Sequence, residues 1–346
     1  MDHADTCTEC GTCLMQCPEA AYDLHRAVEE IRALRRGEQA PILSSCITCM
    51  ACDEFCSARA RPFERISRLQ ERYGIGLVSR QQADMIETKL ANVPVRIVEG
   101  DAALPVLSLC VMEHALPADM GTSALFAGMT IVSGSPYYSR VVHLHTGLPS
   151  LAEQHAAAFI GSLAALGRRE VVFAHDDCYV MAAVLAPSWG IEVPFRPVHL
   201  AEWLGRVMKR RKKELRTLNK KMAFQRPCIS RKAPWTDESV NTVFELAGVQ
   251  RVRRAYDGMH ARCCGIGLAE YYPEKSASMV QGHIDDAVRH EAEAMVFGCP
   301  SCQAFMASAC REAGLAPVFI ADIARTALGE LPAGCPGAAE ARHHAV

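Results

Sequence analysis

The chain has 346 residues, half of them apolar, which is enough for roughly two or three compact units with buried cores. The formal net charge is only −2, so no overall basic field argues for binding to nucleic acid. The unusual number is the count of 17 cysteines.

The cellular compartment that the sequence implies decides how these cysteines are interpreted. The chain contains no run of 18 or more uncharged apolar residues, and its first residues, MDHADTC, lack the basic end and the apolar run of a signal peptide. We therefore expect a protein without a transmembrane segment, in the cytoplasm or peripheral to the inner face of a membrane. In such a reducing compartment, clustered cysteines indicate metal ligands or redox groups rather than disulfides.

Two cysteine runs of the same spacing open the chain. CTECGTCLMQCP (7–18) and CITCMACDEFCS (46–57) both follow the pattern C-x2-C-x2-C-x3-C. Bacterial [4Fe–4S] ferredoxins have this pattern, and in two-cluster ferredoxins the fourth cysteine of each run ligates the other cluster. The rule predicts one cluster on Cys7, Cys10, Cys13 and Cys56, and another on Cys46, Cys49, Cys52 and Cys17. A structural zinc site or free buried thiols would leave the match between the runs unexplained.

Helical patterns fill the space around these runs. Apolar residues recur at helical spacing from Leu24 to Leu34, Gly37 and Pro41 end that helix, and a second helix is predicted at roughly residues 62–73. Residues 1–75 therefore resemble the helical two-cluster domain of the iron–sulfur subunit of fumarate reductases and of the small iron–sulfur subunit of heterodisulfide reductase. The resemblance implies two [4Fe–4S] cubane clusters in an all-α domain.

Residues 76–105 are predicted to be a connector, after which the chain repeats itself. VLSLC ends at Cys110 and AFQRPC ends at Cys228, VVFAHDDC (171–178) shares its frame with MVFGCPSC (295–302), and residues 193–204 match residues 316–328. Helical patterns flank each short apolar run, which predicts βαβ units and mostly parallel sheets.

The predicted fold class is therefore α+β and multidomain, with the all-α two-cluster domain followed by a duplicated α/β domain that has parallel-sheet halves. The predicted boundaries are a first half at 106–205, a basic linker at 206–221, a second half at 222–330 and a disordered tail at 331–346. The linker carries nine basic residues and one acidic residue. It is either a solvated helix or a docking strip for an acidic partner or a negatively charged substrate.

The second half carries five cysteines in three separate loops. They are Cys228, Cys263, Cys264, Cys299 and Cys302. Adjacent cysteines bridge neighbouring metals more easily than they serve one small tetrahedral ion. The pattern resembles the cysteine-rich CCG domain of the catalytic subunit of heterodisulfide reductase and of related anaerobic oxidoreductases. That resemblance implies a non-cubane [4Fe–4S] cluster on these five thiolates. Zinc on four of them, or a dithiol pair, are the alternatives.

The first half departs from this pattern. Cys110 stands at the position of the first cysteine, Ser133-Gly134-Ser135 or its neighbours replace the CCG, and His175-x2-Cys178 replaces the CxxC. A non-cubane cluster would lack its bridging thiolates here. Cys110, His175 and Cys178, with Asp176 or Asp177, form a candidate zinc site, and the alternative is an empty remnant.

Four further histidines and cysteines are predicted to have no ligand role. His143 and His145 are predicted to alternate along a strand as ordinary polar residues. Cys310 is predicted to be a buried thiol in a helix, and Cys335 lies in the predicted tail.

Three clusters in one chain predict an electron path. No GxGxxG fingerprint opens a helix after a strand, so a two-electron donor must be handled by a partner subunit, either flavin-containing or linked to membrane quinone. The first hypothesis is an iron–sulfur electron-transfer subunit of a heterodisulfide reductase-like complex. The second is a catalytic subunit that reduces a disulfide or related thiol substrate at the CCG cluster. The third is a non-enzymatic redox or metal sensor, although nothing resembles a DNA-reading element.

Overall fold

A computed structural model describes residues 6–117 and 119–332. The end of the predicted tail, including Cys335, lies outside these ranges. The described chain is mixed α/β, with nine strands in two sheets. Among the described residues, no helix is both long enough and apolar enough to cross a membrane.

The cysteine runs lie in a helical region. Its helices are α1 (Thr12–Met15), α2 (Leu24–Arg35), α3 (Ile42–Ser45), α4 (Ala51–Phe55) and α5 (Pro62–Tyr73). The side chain of Asp23 caps α2 by accepting from Arg26 N–H, and left-handed Gly74 ends α5. Both predicted helices are therefore confirmed, because local spacing and end signals were sufficient to locate them.

The first sheet has five strands in the order β1-β3-β2-β4-β5. They are β1 (Arg96–Val98), β2 (Val106–Cys110), β3 (Thr130–Ser133), β4 (Glu170–Phe173) and β5 (Arg196–His199). All pairs are parallel except β1 with β3. The associated helices are α6 (Arg80–Ala91), α7 (Val142–His145), α8 (Pro149–Ala164), α9 (Asp176–Val180), α10 (Ala186–Ser188) and α11 (Leu200–Arg210).

The second sheet has four parallel strands in the order β7-β6-β8-β9. They are β6 (Lys221–Gln225), β7 (Gln250–Arg251), β8 (Ala294–Phe297) and β9 (Ala316–Phe319), with helices α12 (Thr236–Ala247), α13 (Pro273–Arg289), α14 (Pro300–Glu312) and α15 (Ile320–Ala327). In both sheets the first of these strands along the chain (β2 or β6) lies between the second (β3 or β7) and the third (β4 or β8), and the fourth (β5 or β9) lies at the edge. The predicted alternation of strands with helices and the parallel sheets are confirmed.

Two predicted segments are more structured than expected. Residues 76–105, predicted as a connector, contain α6 and β1, and β1 pairs with β3 as the edge strand of the first sheet. The basic segment at 206–221 is not a separate linker helix, since its first five residues complete α11 and its last residue begins β6. The reason is packing: α11, α12 and α15 bury their apolar faces in a core that also includes residues of both sheets.

Several cations of the basic segment are also neutralised within the chain. Arg206 contacts Glu170 and Glu202, and Arg211 contacts Glu214. Lys220 and Lys221 pair with Glu293 and Glu291 respectively. These contacts reduce the positive charge that a docking strip would need.

Candidate functional site

The two cysteine runs share one backbone conformation. The residues on either side of the second cysteine are left-handed in both runs: Glu9 and Gly11 have φ of 57° and 74°, and Thr48 and Met50 have φ of 59° and 62°. Non-glycine residues rarely adopt this conformation. Its repetition at matching positions gives both loops the same local backbone turn around the second cysteine.

The first site combines three cysteines of the first run with the last cysteine of the second. Cys7, Cys10, Cys13 and Cys56 line one pocket below α2 and α5. Burial raises the pKa of the Cys13 thiol to about 12, and the charges of Cys56, Cys7 and Cys10 act in the same direction. Metal charge stabilises such a buried thiol as a thiolate, so Cys13 and the three cysteines that share its pocket fit an iron–sulfur cluster.

The second site has the complementary composition. Burial raises the pKa of Cys46 above its usual range, and the charges of Cys49 and Cys17 contribute to this shift. Backbone amides point at sulfur in both sites: Thr48 N–H donates to Cys46 Sγ at 3.4 Å, and Ala60 N–H donates to Cys56 Sγ at 3.3 Å. Such N–H···S contacts are among the features that set cluster potentials.

The five cysteines of the second half also converge. Cys228 follows β6 and the Cys299–Cys302 pair follows β8, so both positions lie beyond the carboxyl ends of adjacent parallel strands. The thiol of Cys302 approaches Cys264 Sγ at 3.3 Å. Gly265, with φ of 90°, turns the chain after Cys264 and donates its N–H to Cys263 Sγ at 3.4 Å.

These five thiols are electrostatically linked. Hydrogen bonds from Cys228 and Cys264 hold the pKa of Cys263 well below its usual range, and the Gly265 amide adds to the effect. Hydrogen bonds from Cys302 and His175 lower the pKa of Cys299 to about 6, although burial opposes the shift. Five sulfurs in one buried cluster exceed the four ligands of a tetrahedral zinc ion, and they suit a multi-iron group.

The second cysteine run lies directly against this five-cysteine site. Cys263 packs on a buried apolar cluster that includes Ile47, Cys49, Phe55 and Leu268. The Thr48 hydroxyl donates to the backbone oxygen of His145 at 2.6 Å. The second site of the helical region and the five-cysteine site are therefore neighbours, which the sequence pattern did not reveal.

Buried ion pairs fix this arrangement. Glu54, two residues before Cys56, contacts Arg226 at 2.7 Å and Arg231 at 2.6 Å. The Arg226 side chain is only 1% exposed. Lys232 contacts Asp53 at 2.9 Å, so three cations of the second half hold the carboxylates of α4.

The first half brings its three candidate ligands together. Cys110 ends β2, His175 follows β4, and Cys178 lies in α9. Nδ1 of His175 lies 3.4 Å from Cys110 Sγ and 3.9 Å from Cys178 Sγ. Asp176 is directed elsewhere, since its Oδ1 lies 3.1 Å from Nε2 of His199.

The prediction that His143 and His145 alternate along a strand is wrong. Both residues lie in the short helix α7, not in a strand, because the chain turns after β3. His143 pairs with Glu87 at 3.1 Å as an ordinary polar residue. His145 instead lies between the sites, with Nε2 3.1 Å from Asp177 Oδ1 and Nδ1 3.9 Å from Cys228 Sγ. Burial opposes ionisation of His145, but Asp177 outweighs it and raises the pKa of the imidazole.

A cleft of about 720 Å³ opens beside the first site. Its lining includes Cys56, Arg59, Arg61, Trp189 and Trp235. Arg59 and Arg61 are both left-handed, with φ of 53° and 48°, in the segment that follows Cys56. Cys310, by contrast, is buried in α14, and burial raises the pKa of its thiol to about 12.

Comparison with known families identifies two domains. Residues 1–57 match the family model of a 4Fe-4S dicluster domain, and residues 222–307 match the model of the CCG cysteine-rich domain. The chain therefore contains an iron–sulfur dicluster domain and a cysteine-rich CCG domain, as the resemblance in the sequence predicted.

The curated relatives that match are distant, and all are the same subunit of dihydromethanophenazine:CoB–CoM heterodisulfide reductase. The protein from Methanosarcina mazei is 28% identical over 142 residues, which are 40% of this chain and 35% of the relative. The Methanosarcina acetivorans protein is 26% identical, with coverage of 47% of this chain and 40% of the relative. The chain thus spans well under half the length of these two relatives. The Methanosarcina barkeri protein is 22% identical and aligns over 92% of both chains.

A solved structure supports the fold alone. A hypothetical protein from Helicobacter pylori superimposes with a TM-score of 0.55 at 12% sequence identity. The match covers 89% of this chain and 66% of that protein.

Proposed function

We propose that this chain is an iron–sulfur electron-transfer subunit of a heterodisulfide reductase-like complex. Electrons pass between two cubane clusters and a third cluster in the CCG domain. The observation that carries this proposal is the packing of Cys263 against the loop that holds Cys49. This packing supports an order in which the second cubane lies next to the third cluster.

The ligand assignment follows the convergence of the thiols. Cys7, Cys10, Cys13 and Cys56 hold the first cubane, and Cys17, Cys46, Cys49 and Cys52 hold the second. The five cysteines of the second half hold a non-cubane [4Fe–4S] cluster. The bound clusters supply one-electron chemistry, and the protein contributes burial, amide–sulfur contacts and the order of the sites.

We also infer that the two α/β halves arose by duplication. The sheets share the order of four strands, and Cys110, His175 and Cys178 occupy the strand-end positions of Cys228, Cys299 and Cys302. Only the second half keeps the five thiols. The second half is therefore the cluster-binding unit, and the first half lies against it without binding a cluster of its own.

The partner that delivers electrons docks at the cleft beside Cys56. Arg59 and Arg61 border this cleft. Their charge fits an acidic surface on the donor protein. Such a donor, flavin-containing or linked to membrane quinone, would convert two-electron chemistry into single-electron steps.

Anaerobic reductive titration of the isolated chain, followed by electron paramagnetic resonance, tests the electron-transfer proposal. We expect three iron–sulfur centres that take up electrons without substrate turnover. Robust reduction of a disulfide by the isolated chain would show that electron transfer is not its sole role.

A second candidate function is reduction of a disulfide or related thiol substrate at the five-cysteine site. The observation that favours it is position, because the five thiols lie at the carboxyl edge of the sheet, where open α/β proteins bind ligands. The reaction would consume two electrons and two protons and release two thiols. The test is a paramagnetic signal in the oxidised protein that depends on an added thiol. No such signal, together with full activity of Cys263→Ser, would eliminate this function.

A further inference from the structure

The first half contains a second convergent donor set, whose members are not ligands in any of the three proposed iron–sulfur sites. The donor atoms of Cys110, His175 and Cys178 lie within 4.8 Å of one another. All three residues are buried, with exposed fractions of 0%, 3% and 1%. Two thiols and an imidazole that face one buried point have a composition that favours a soft or borderline divalent metal.

The distances within this set match a tetrahedral zinc ion. Zinc bonds of about 2.3 Å to sulfur and about 2.1 Å to nitrogen, at a tetrahedral angle, separate the two donor atoms by about 3.6 Å. The observed separations from Nδ1 of His175 are 3.4 Å to Cys110 Sγ and 3.9 Å to Cys178 Sγ. The same ring nitrogen faces both sulfurs, as a shared ion between them requires.

The other ring nitrogen of His175 faces a carboxylate. Nε2 lies 3.7 Å from Asp177 Oδ2, and Oδ1 of Asp177 lies 3.1 Å from Nε2 of His145. Metal-binding histidines usually direct their second nitrogen to a carboxylate or a carbonyl, which fixes the ring orientation. Asp177 is therefore a positioning residue rather than a ligand.

The backbone around the set is distorted in two places. Cys110 is left-handed with φ of 48°, at the point where the register of β2 against β3 shifts. The helix that begins at Asp176 changes to a π-helical turn over Met181–Leu185. Register shifts and π-turns cost stability and concentrate at functional sites, because they re-aim particular side chains.

We propose that Cys110, His175 and Cys178 bind one zinc ion whose fourth position is open to water or to an external thiolate. Among the described residues, no fourth histidine, cysteine or carboxylate joins the group. Zinc sites with three protein ligands keep such an open position. The His175 imidazole also lies beside Cys299, so this zinc site would border the five-cysteine site. The proposal does not depend on the electron path, because zinc exchanges no electrons.

The experiment uses the full chain, prepared anaerobically with its clusters. Zinc and iron are counted per chain, and X-ray absorption at the zinc edge reads the ligands without interference from iron. We expect about one zinc, with two sulfur ligands, one imidazole and one light atom. Addition of 2-mercaptoethanol should replace the light atom with a third sulfur.

Variants connect the zinc to the named residues. Cys110→Ser and Cys178→Ser should lose zinc, whereas Cys310→Ser, which alters a buried cysteine outside every site, should keep it. Asp177→Asn should retain iron and bind zinc about 10- to 100-fold more weakly in competition with a chelator. If the cysteine variants fail to fold, as a loss of all iron would show, Asp177→Asn decides the question.

Three results would overturn the zinc site. They are full iron content without zinc, zinc that is retained in Cys110→Ser, and a zinc edge with four sulfur ligands. The first of these leaves the electron-transfer proposal standing, whereas low iron content in the wild-type chain would count against that proposal instead.

Discussion

The two α/β halves place donor groups at corresponding strand ends but provide different donor sets. The second half provides five thiols, and its Cys263 packs on the apolar cluster that includes Cys49 of the second cubane site. The first half provides two thiols and one imidazole, with Asp177 and His145 between this set and Cys228. Two halves with the same strand order can therefore place donor groups at corresponding strand ends while they differ in the number and type of those donors.

The halves also differ in how they hold the helical region. The second half does so through buried cations, since Arg226 and Arg231 meet Glu54. On the first half, the ion pair between Arg68 and Glu153 is 44% and 40% exposed. The cluster-bearing half is thus attached through charges that cannot be separated without leaving one of them buried and unpaired.

The largest expected effect comes from removing a thiol in each half. Cys264→Ser should lose about four iron atoms per chain, because the cluster of the second half depends on that thiolate. Cys110→Ser should lose none, because we place no iron in the first half. Iron analysis with optical spectra checks both variants. Equal iron loss in the two would contradict the proposal that, of the two halves, only the second binds a cluster.

The next effect concerns electron transfer from the second cubane to the third cluster, which lies in the second half. Cys17→Ser should damage the second cubane, so reduction of the third cluster by a one-electron donor should slow by at least tenfold, about 1.4 kcal/mol in activation free energy. Freeze-quench paramagnetic resonance measures this rate. Cys310→Ser is the matched control, and an unchanged rate in Cys17→Ser would mean that electrons reach the third cluster by another path.

Stability should show the difference in attachment. Glu54→Gln leaves the buried Arg231 without its carboxylate partner, whereas Arg226 keeps Asp237, and the free energy of unfolding should fall by about 3–5 kcal/mol. Glu153→Gln breaks the exposed pair and should cost less than about 1 kcal/mol. Chemical denaturation under anaerobic conditions compares them. Similar losses in the two variants would contradict the buried attachment.

The last effect concerns a buried acid of the second half, and it is confined to a narrow pH range. Asp322 in α15 is buried, which raises its pKa from 3.8 to about 6, although Arg325 opposes the shift. The folded state then binds the proton more tightly than the unfolded state, so stability falls as pH rises from about 4 to about 6. The shift corresponds to about 2–3 kcal/mol at most.

Asp322→Asn should therefore flatten the fall in thermal stability across this pH window. Glu202, at the corresponding position in α11, is less buried and pairs with Arg196 at 2.6 Å. A steeper profile in Asp322→Asn would contradict the assignment of the effect to this carboxyl.

The sequence predicted those features that depend on local pattern. Cysteine spacing located the donor sets, and apolar periodicity located α2, α5 and the strands that precede the ligands. These signals are strong because a cluster loop or a buried strand constrains neighbouring residues in the chain.

The sequence did not reveal contacts between distant segments. His145 carries no motif, yet it lies between Asp177 and Cys228, and Glu54 meets arginines more than 170 positions away. β1 was also missed, because three exposed residues at a sheet edge have no apolar alternation. Each of these features is decided by tertiary packing, which a single sequence does not display.

The most direct test of the asymmetric arrangement is the anaerobic content of iron, sulfide and zinc in the full chain. We predict about 12 iron and about 12 sulfide per chain, for three [4Fe–4S] clusters, together with about one zinc. About eight iron would remove the cluster from the second half, and about 16 iron would place a fourth cluster in the first half. Either value would contradict the proposed arrangement, in which the second half binds one cluster and the first half binds none.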